Sequence, residues 1–180
     1  MVYLFIANGT EEVETIATLD VLRRGGVEVK TVGVGGKTVT SSHGVLLTAD
    51  IEESELDTAS LEAVILPGGM PGTINLGKSQ TVLDTVEYAY KNDLLIAAIC
   101  AAPTILGKNG YLRDKKATCF PGCEGDLNCA EYTADFVTQD GNIITGKGAG
   151  AALRFGKCIL AALKGEAVAE KVYGSLQCPN

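Results

Sequence analysis

Apolar residues along this chain gather into short unbroken runs, separated by segments with a helical repeat. The runs at Tyr3–Ala7, Glu28–Val34, Ala63–Leu66, Leu94–Ile99 and Asn142–Thr145 have the length and β-branched content of buried strands. Helical patterns cover Glu11–Arg24, Ser79–Asn92, Pro103–Lys108 and Ala151–Lys164. Strands joined through helices of this length imply right-handed crossovers and a mostly parallel sheet. The expected architecture is therefore α/β, a flavodoxin-like three-layer sandwich, built as a single domain over residues 1–180. Gly-Gly pairs at 25–26 and 35–36 and the stretch Pro67-Gly68-Gly69-Met70-Pro71-Gly72 mark turns, and Ser41–Asp50 reads as a hairpin arm.

The run Leu94–Ile99 ends in Cys100 and passes at once into Ala101-Ala102-Pro103-Thr104-Ile105-Leu106. Proline is tolerated only in the first turn of a helix, so Cys100 falls on the sharp turn between strand and helix, a nucleophile-elbow position. Backbone N–H groups at a helix start can lower a thiol pKa and bind an oxyanion. In a parallel sheet ligands bind beyond the carboxyl ends of the strands. Three such ends are unusual here: Asn8-Gly9-Thr10-Glu11, Pro67-Gly68-Gly69 and Cys100-Ala101.

Glu11, Glu12 and Glu14 open the first helix, where acidic side chains ordinarily just complement the helix dipole. Spacing separates them: Glu14 lies on or beside the stripe Val13, Ile16, Ala17 and Val21, whereas Glu11 shares its face with Thr15 and Thr18. Glu14 is the one expected to be partly buried. A desolvated carboxyl resists ionisation, so Glu14 can stay protonated, donate to a thiolate and move a proton. Gly68-Gly69 is either a tight turn alone or a place where the Gly69 N–H, paired with that of Ala101, faces a reacting oxygen.

Composition narrows the function classes. With 180 residues, 46% of them hydrophobic, the chain can build one complete core. A formal net charge of −7 leaves no basic stripe, which argues against nucleic acid and anionic membrane surfaces and in favour of small metabolites. The N-terminus lacks the basic segment of a signal peptide and no run approaches a membrane span, so the expectation is a soluble, cytoplasmic protein. Six irregularly spaced cysteines favour free thiols over a disulfide framework. The spacing of Cys119, Cys123 and Cys129 does not match a zinc motif, and neither a metal nor an organic cofactor is expected.

Taken together, Gly9-Thr10-Glu11-Glu12-Val13-Glu14-Thr15, Asp20-Val21-Leu22-Arg23-Arg24-Gly25-Gly26, Leu66-Pro67-Gly68-Gly69, Ile96-Ala97-Ala98-Ile99-Cys100-Ala101-Ala102-Pro103 and Thr145-Gly146-Lys147-Gly148-Ala149-Gly150 resemble the DJ-one/ThiJ/PfpI superfamily, in its DJ-one-like branch. The resemblance implies a flavodoxin-like sandwich that dimerises, with a reactive Cys100 hydrogen-bonded by protonated Glu14 and the Gly69 and Ala101 N–H groups facing the reacting oxygen. Peptidase-like members carry histidine directly after the cysteine, where this chain has Ala101. Several relatives carry histidine close to the cysteine, and an arginine in a loop that reaches the site across the dimer; the aligned residues here are Phe120 and His43. Arg24 matches a second interfacial arginine. Cys119, beside the aligned position, is a candidate to resolve an oxidised Cys100 as a disulfide.

These readings converge on a cofactor-independent, cysteine-dependent glyoxalase or deglycase acting on methylglyoxal or its thiol and amine adducts, with a part in oxidative and carbonyl stress defence. Two rivals remain. One is an oxidation-sensing thiol protein or redox chaperone with little turnover; the other is a PfpI-like cysteine hydrolase.

Overall fold

The structure is a computed structural model that describes residues 1–178; positions 179 and 180 of the expected 1–180 domain lie outside the described residues. In chain order the strands are β1 (Val2–Ala7), β2 (Val29–Val34), β3 (Thr38–Thr40), β4 (Leu46–Thr48), β5 (Ile51–Glu52), β6 (Ala63–Leu66), β7 (Leu95–Ile99), β8 (Lys116–Ala117), β9 (Glu131–Tyr132), β10 (Val137–Asp140) and β11 (Ile143–Gly146). The helices are α1 (Glu12–Arg24), α2 (Gly72–Lys78), α3 (Gln80–Lys91), α4 (Pro103–Lys108), α5 (Ala152–Lys164) and α6 (Glu166–Ser175).

Seven strands form the central sheet in the order β10-β11-β7-β6-β1-β2-β5. All neighbours are parallel except β10 and β11. Every residue of β1 is buried, and the alternation of its side chains divides the core. Tyr3, Phe5 and Ala7 join the cluster under α2, α3 and α4, while Val2, Leu4 and Ile6 join the cluster under α1, α5 and α6. Two helical layers on one sheet make the three-layer sandwich. Strand order reverses between β1 and β6, so the crevice at their carboxyl ends is the place where such a fold holds a ligand.

Three local departures from the sequence pattern have physical causes. The buried face of α1 is Glu14, Thr15, Thr18, Val21 and Leu22, whereas Val13 and Ile16 are 51% and 47% exposed. The threonine face packs inward because much of its polarity is satisfied locally: the Thr15 hydroxyl donates to Glu11 O (2.8 Å) and lies 3.1 Å from that of Thr10. The apolar stripe of Val13, Ile16 and Ala17 therefore looks outward. The hairpin begins earlier than Ser41, with β3 paired to β4 around a turn at 41–45. Two helices carry no strong pattern: α2 holds Gly72 and Gly77, and α6 follows Gly165, whose φ of +88° stops α5.

Candidate active site

The site is assembled from the ends of three adjacent strands. After β7 the chain turns through Cys100, which adopts φ +64°, a left-handed conformation that disfavours any side chain with a Cβ and costs roughly 1–3 kcal/mol. Backbone hydrogen bonds hold it there: Cys100 N donates to Gly146 O (2.8 Å), and Phe120 N donates to Cys100 O (2.7 Å). Pro103 takes the first position of α4. Strain at a residue over-determined by its surroundings is the geometry that projects a nucleophile from a strand end.

After β1, the Glu11 carboxylate caps α1 by accepting from Glu14 N (2.7 Å), and Glu14 points inward, 1% exposed. Its Oε2 accepts from Gly68 N (2.8 Å). Its Oε1 is buried without an aligned partner, although carboxyl and Cys100 thiol lie close enough to act on each other's protonation. Burial pushes Glu14 up to about 7, against the opposing effect of the Gly68 N–H and the thiol.

After β6, Gly68 and Gly69 fill the space between the two functional side chains. A Cβ on Gly68 would sit 2.6 Å from Cys100 Cβ and 2.8 Å from Glu14 Oε2. Gly69, at φ +91°, lies against the backbone of Gly9, Thr10 and Glu11. Both glycines are thus required by close approach, the second also by conformation. The N–H groups of Gly69 and Ala101 lie near enough to the Cys100 sulfur to oppose the rise in its pKa.

The expectation of a lowered thiol pKa does not hold. Burial, then the Glu14 charge, push Cys100 up to about 12, and the two N–H groups only moderate the rise. The helix that was to supply the positive field, α4, has only six residues. Neutralising Glu14 removes one cause of the rise and turns an acceptor into a donor, so the thiol's acidity is set by the carboxyl's proton.

His43 and Arg24 are not brought to Cys100 within the chain. His43 rides on the turn between β3 and β4, 72% exposed, with Nδ1 2.9 Å from Glu12 Oε1. Arg24 ends α1, where its Nε donates to Asp20 Oδ2 (2.6 Å). Glu11, Glu12 and His43 are the group of metal-ligating types gathered within 4.8 Å among the described residues, and they stand on the rim, without a thiol.

Cys119 is fully buried in the cluster under α2, α3 and α4, whereas Cys100 packs against the opposite cluster. Its Sγ donates to Phe120 O (3.3 Å), and Cys123 and Cys129 pack against the same cluster. The loop is joined to the elbow through the Phe120 backbone, but the Cys119 thiol is directed away. Phe136 was missed by sequence reasoning: it is one aromatic residue in a polar stretch, and its place beside Phe120 depends on a loop conformation that carries no periodic signal.

A strained cysteine at the end of β7, an inward carboxyl from the helix that follows β1 and the two glycines after the intervening β6 make up a strand-end site in a flavodoxin-like α/β protein. The chain belongs to the DJ-1/PfpI family, whose family model matches residues 1–162. It is 38% identical to Protein dj-1beta of Drosophila melanogaster, over 98% of this chain and 97% of that protein. To the Glutathione-independent glyoxalase DJR-1.2 of Caenorhabditis elegans it is 31% identical, over 86% and 83% of the two chains. Among solved structures, Toxoplasma gondii DJ-1, oxidized, superposes with a TM-score of 0.95 at 28% identity, covering 99% of this chain and 98% of that one.

Proposed function

We propose that this protein is a cofactor-independent glyoxalase or deglycase that converts α-oxoaldehydes, or their thiol and amine adducts, to hydroxy acids. The observation that carries the reading is the convergence of one thiol, one carboxyl near pKa 7 and two N–H donors at neighbouring strand ends. Similarity to a relative named a glutathione-independent glyoxalase supports it.

With methylglyoxal, the Glu14 carboxylate takes the thiol proton as Cys100 Sγ bonds to the aldehyde carbon, and the oxyanion forms against Gly69 and Ala101. Glu14 returns that proton to the oxygen. Ionised again, it removes the hydrogen on carbon 1 as a proton and delivers it to carbon 2. The carbon-1 hydroxyl proton passes to the carbon-2 oxygen, so carbon 1 rises to thioester level while carbon 2 falls to an alcohol, and no external oxidant or reductant is needed. One water cleaves the thioester, giving lactate and the free thiol. A carboxyl near 7 suits this sequence because both of its forms are populated at neutral pH.

A homodimer completes this reading. Val13, Ile16, Val45, Leu47 and Leu153 line one apolar depression on the surface, beside the turn that carries His43. Covering it with a second copy would bury that area, and the resemblance implies that His43 and Arg24 then stand near the partner's site. None of the helices among the described residues is long and apolar enough to cross a membrane, and the six thiols are free, which suits a cytoplasmic setting.

The test is lactate formation from methylglyoxal without metal or glutathione, expected in the wild type and lost in Cys100→Ser. A second reading, the oxidation sensor, is supported by similarity to a relative whose structure is described as oxidized. A protein that forms no lactate, yet takes up oxygen at Cys100 under peroxide, supports that reading instead. Casein cleavage that Cys100→Ser abolishes would support the hydrolase.

A further inference from the structure

We infer that the cleft between Phe120 and Phe136 is a subsite for a flat apolar substituent, so that the site selects α-oxoaldehydes bearing an aryl group over methylglyoxal. This deepens the proposed glyoxalase reading and rests on it. The cleft has a volume of about 270 Å³ and a nearly apolar wall.

Both rings are tied to the nucleophile's own loop system. Phe120 N donates to the Cys100 carbonyl, Cys100 N donates to Gly146 O, and Lys147 N donates to Phe136 O (3.0 Å). The ring of Phe120 lies over Gly148, where a Cβ would stand 3.4 Å from its Cδ2. The floor is formed by Gly148, Ala149, Gly150 and Ala151, which present no side chain larger than a methyl. Lys147, the charged residue of the lining, has its Nζ engaged with Ala134 O (3.0 Å).

Phe120 and Phe136 are 50% and 53% exposed. The Arg154 guanidinium lies 5.3 Å from the centroid of the Phe136 ring. Two half-exposed aromatic rings facing one cleft at a strand-end site leave apolar area for a ligand to cover. A methyl group covers little of it; a phenyl ring has the area to touch both. Phenylglyoxal would take up one water and leave as mandelate, carbon 1 oxidised and carbon 2 reduced as for methylglyoxal.

The experiment measures kcat/KM for phenylglyoxal and methylglyoxal in the wild type, Phe120→Ala, Phe136→Ala and Phe120→Leu. Alongside, the rate of Cys100 alkylation by iodoacetanilide is divided by that for iodoacetamide, each normalised to free cysteine. The wild type should favour the aryl compound in both measurements by about tenfold, each alanine variant should lose most of that preference, and Phe120→Leu should keep part of it. If neither aldehyde turns over, the glyoxalase reading fails while the alkylation ratio still reports on the cleft. An aryl preference absent from the wild type, or unchanged in both alanine variants, overturns the subsite.

Discussion

Cys100 and Cys119 are both pushed up to about 12, and the comparison between them separates a reactive thiol from a structural one. At Cys119 the rise comes from burial and then from Cys123, Glu124 and Cys129, with no backbone N–H opposing it. At Cys100 burial is followed by Glu14, and the Gly69 and Ala101 N–H groups oppose the rise. Protonating one carboxyl reverses the second cause. The two thiols are raised by different causes: at Cys119 by burial and its thiol and carboxyl neighbours, at Cys100 by burial and one adjacent carboxyl whose proton can be exchanged.

The largest expected effect breaks the comparison outright. Cys100→Ser should lower lactate formation by at least about a thousandfold, since the alcohol is a far weaker nucleophile without a strong base. Cys119→Ala should stay within about twofold of the wild type. A steady-state assay on both variants decides it, and equal losses would put Cys119 in the mechanism.

Glu14 supplies the next test, because its burial links the site to stability. An ordinary carboxyl near 4.5 is raised to about 7 in the folded chain, so the native state holds this proton more tightly than the unfolded one. Stability from this group is fully present below about pH 4.5 and is lost as pH rises toward 7, about 3 kcal/mol in all at about 1.4 kcal/mol per pH unit. Glu14→Gln has no such proton. Denaturant unfolding of wild type and variant at pH 4.5 and 7.5 should show the wild type losing about 3 kcal/mol relative to Gln; parallel curves would mean that Glu14 titrates normally. The same variant should lower the Cys100 pKa, seen in thiolate absorbance, while its turnover falls about a hundredfold or more.

Gly68→Ala strikes the spacer between the two groups. Its methyl would meet Cys100 Cβ at 2.6 Å and Glu14 Oε2 at 2.8 Å, so one of them must move. Overpacking of this kind costs about 1–3 kcal/mol. Thermal unfolding should show that loss together with a drop in kcat of about tenfold or more; full activity would mean that the thiol–carboxyl contact tolerates displacement.

How much of this was legible depends on whether a residue's role follows from local pattern or from side-chain direction. The elbow was legible because an apolar run ending three residues before Pro103 leaves few other conformations for Cys100. Glu14 was singled out, but on the stripe of Val13 and Ile16, which faces outward; the threonine face that carries it inward looks polar until its local hydrogen bonds are seen. The thiol's acidity was misjudged because a motif shows the donors and not the desolvation. Cys119 sits one residue from a backbone bonded to Cys100, yet alternation along that segment sends its side chain to the other face of the sheet. The antiparallel edge strand β10 offers a single apolar residue, Val137, and so gives no periodic signal.

The smallest effect sharpens the comparison from the structural side. Cys119 is fully buried in the cluster of Leu106, Leu112 and Leu127, and its alanine variant removes one sulfur from that packing. The loss of buried contact without a large cavity should cost about 1 kcal/mol. Cys119 packs on the face of the sheet opposite to Cys100, so this cost should be the same across pH 5 to 8, unlike the pH-dependent difference expected for Glu14→Gln. Unfolding curves of Cys119→Ala and wild type at pH 5 and 8 would check it. A gap that widens with pH would show that the buried thiol shares in the titration of the site, and that the two cysteines are less separate than their opposite faces of the sheet imply.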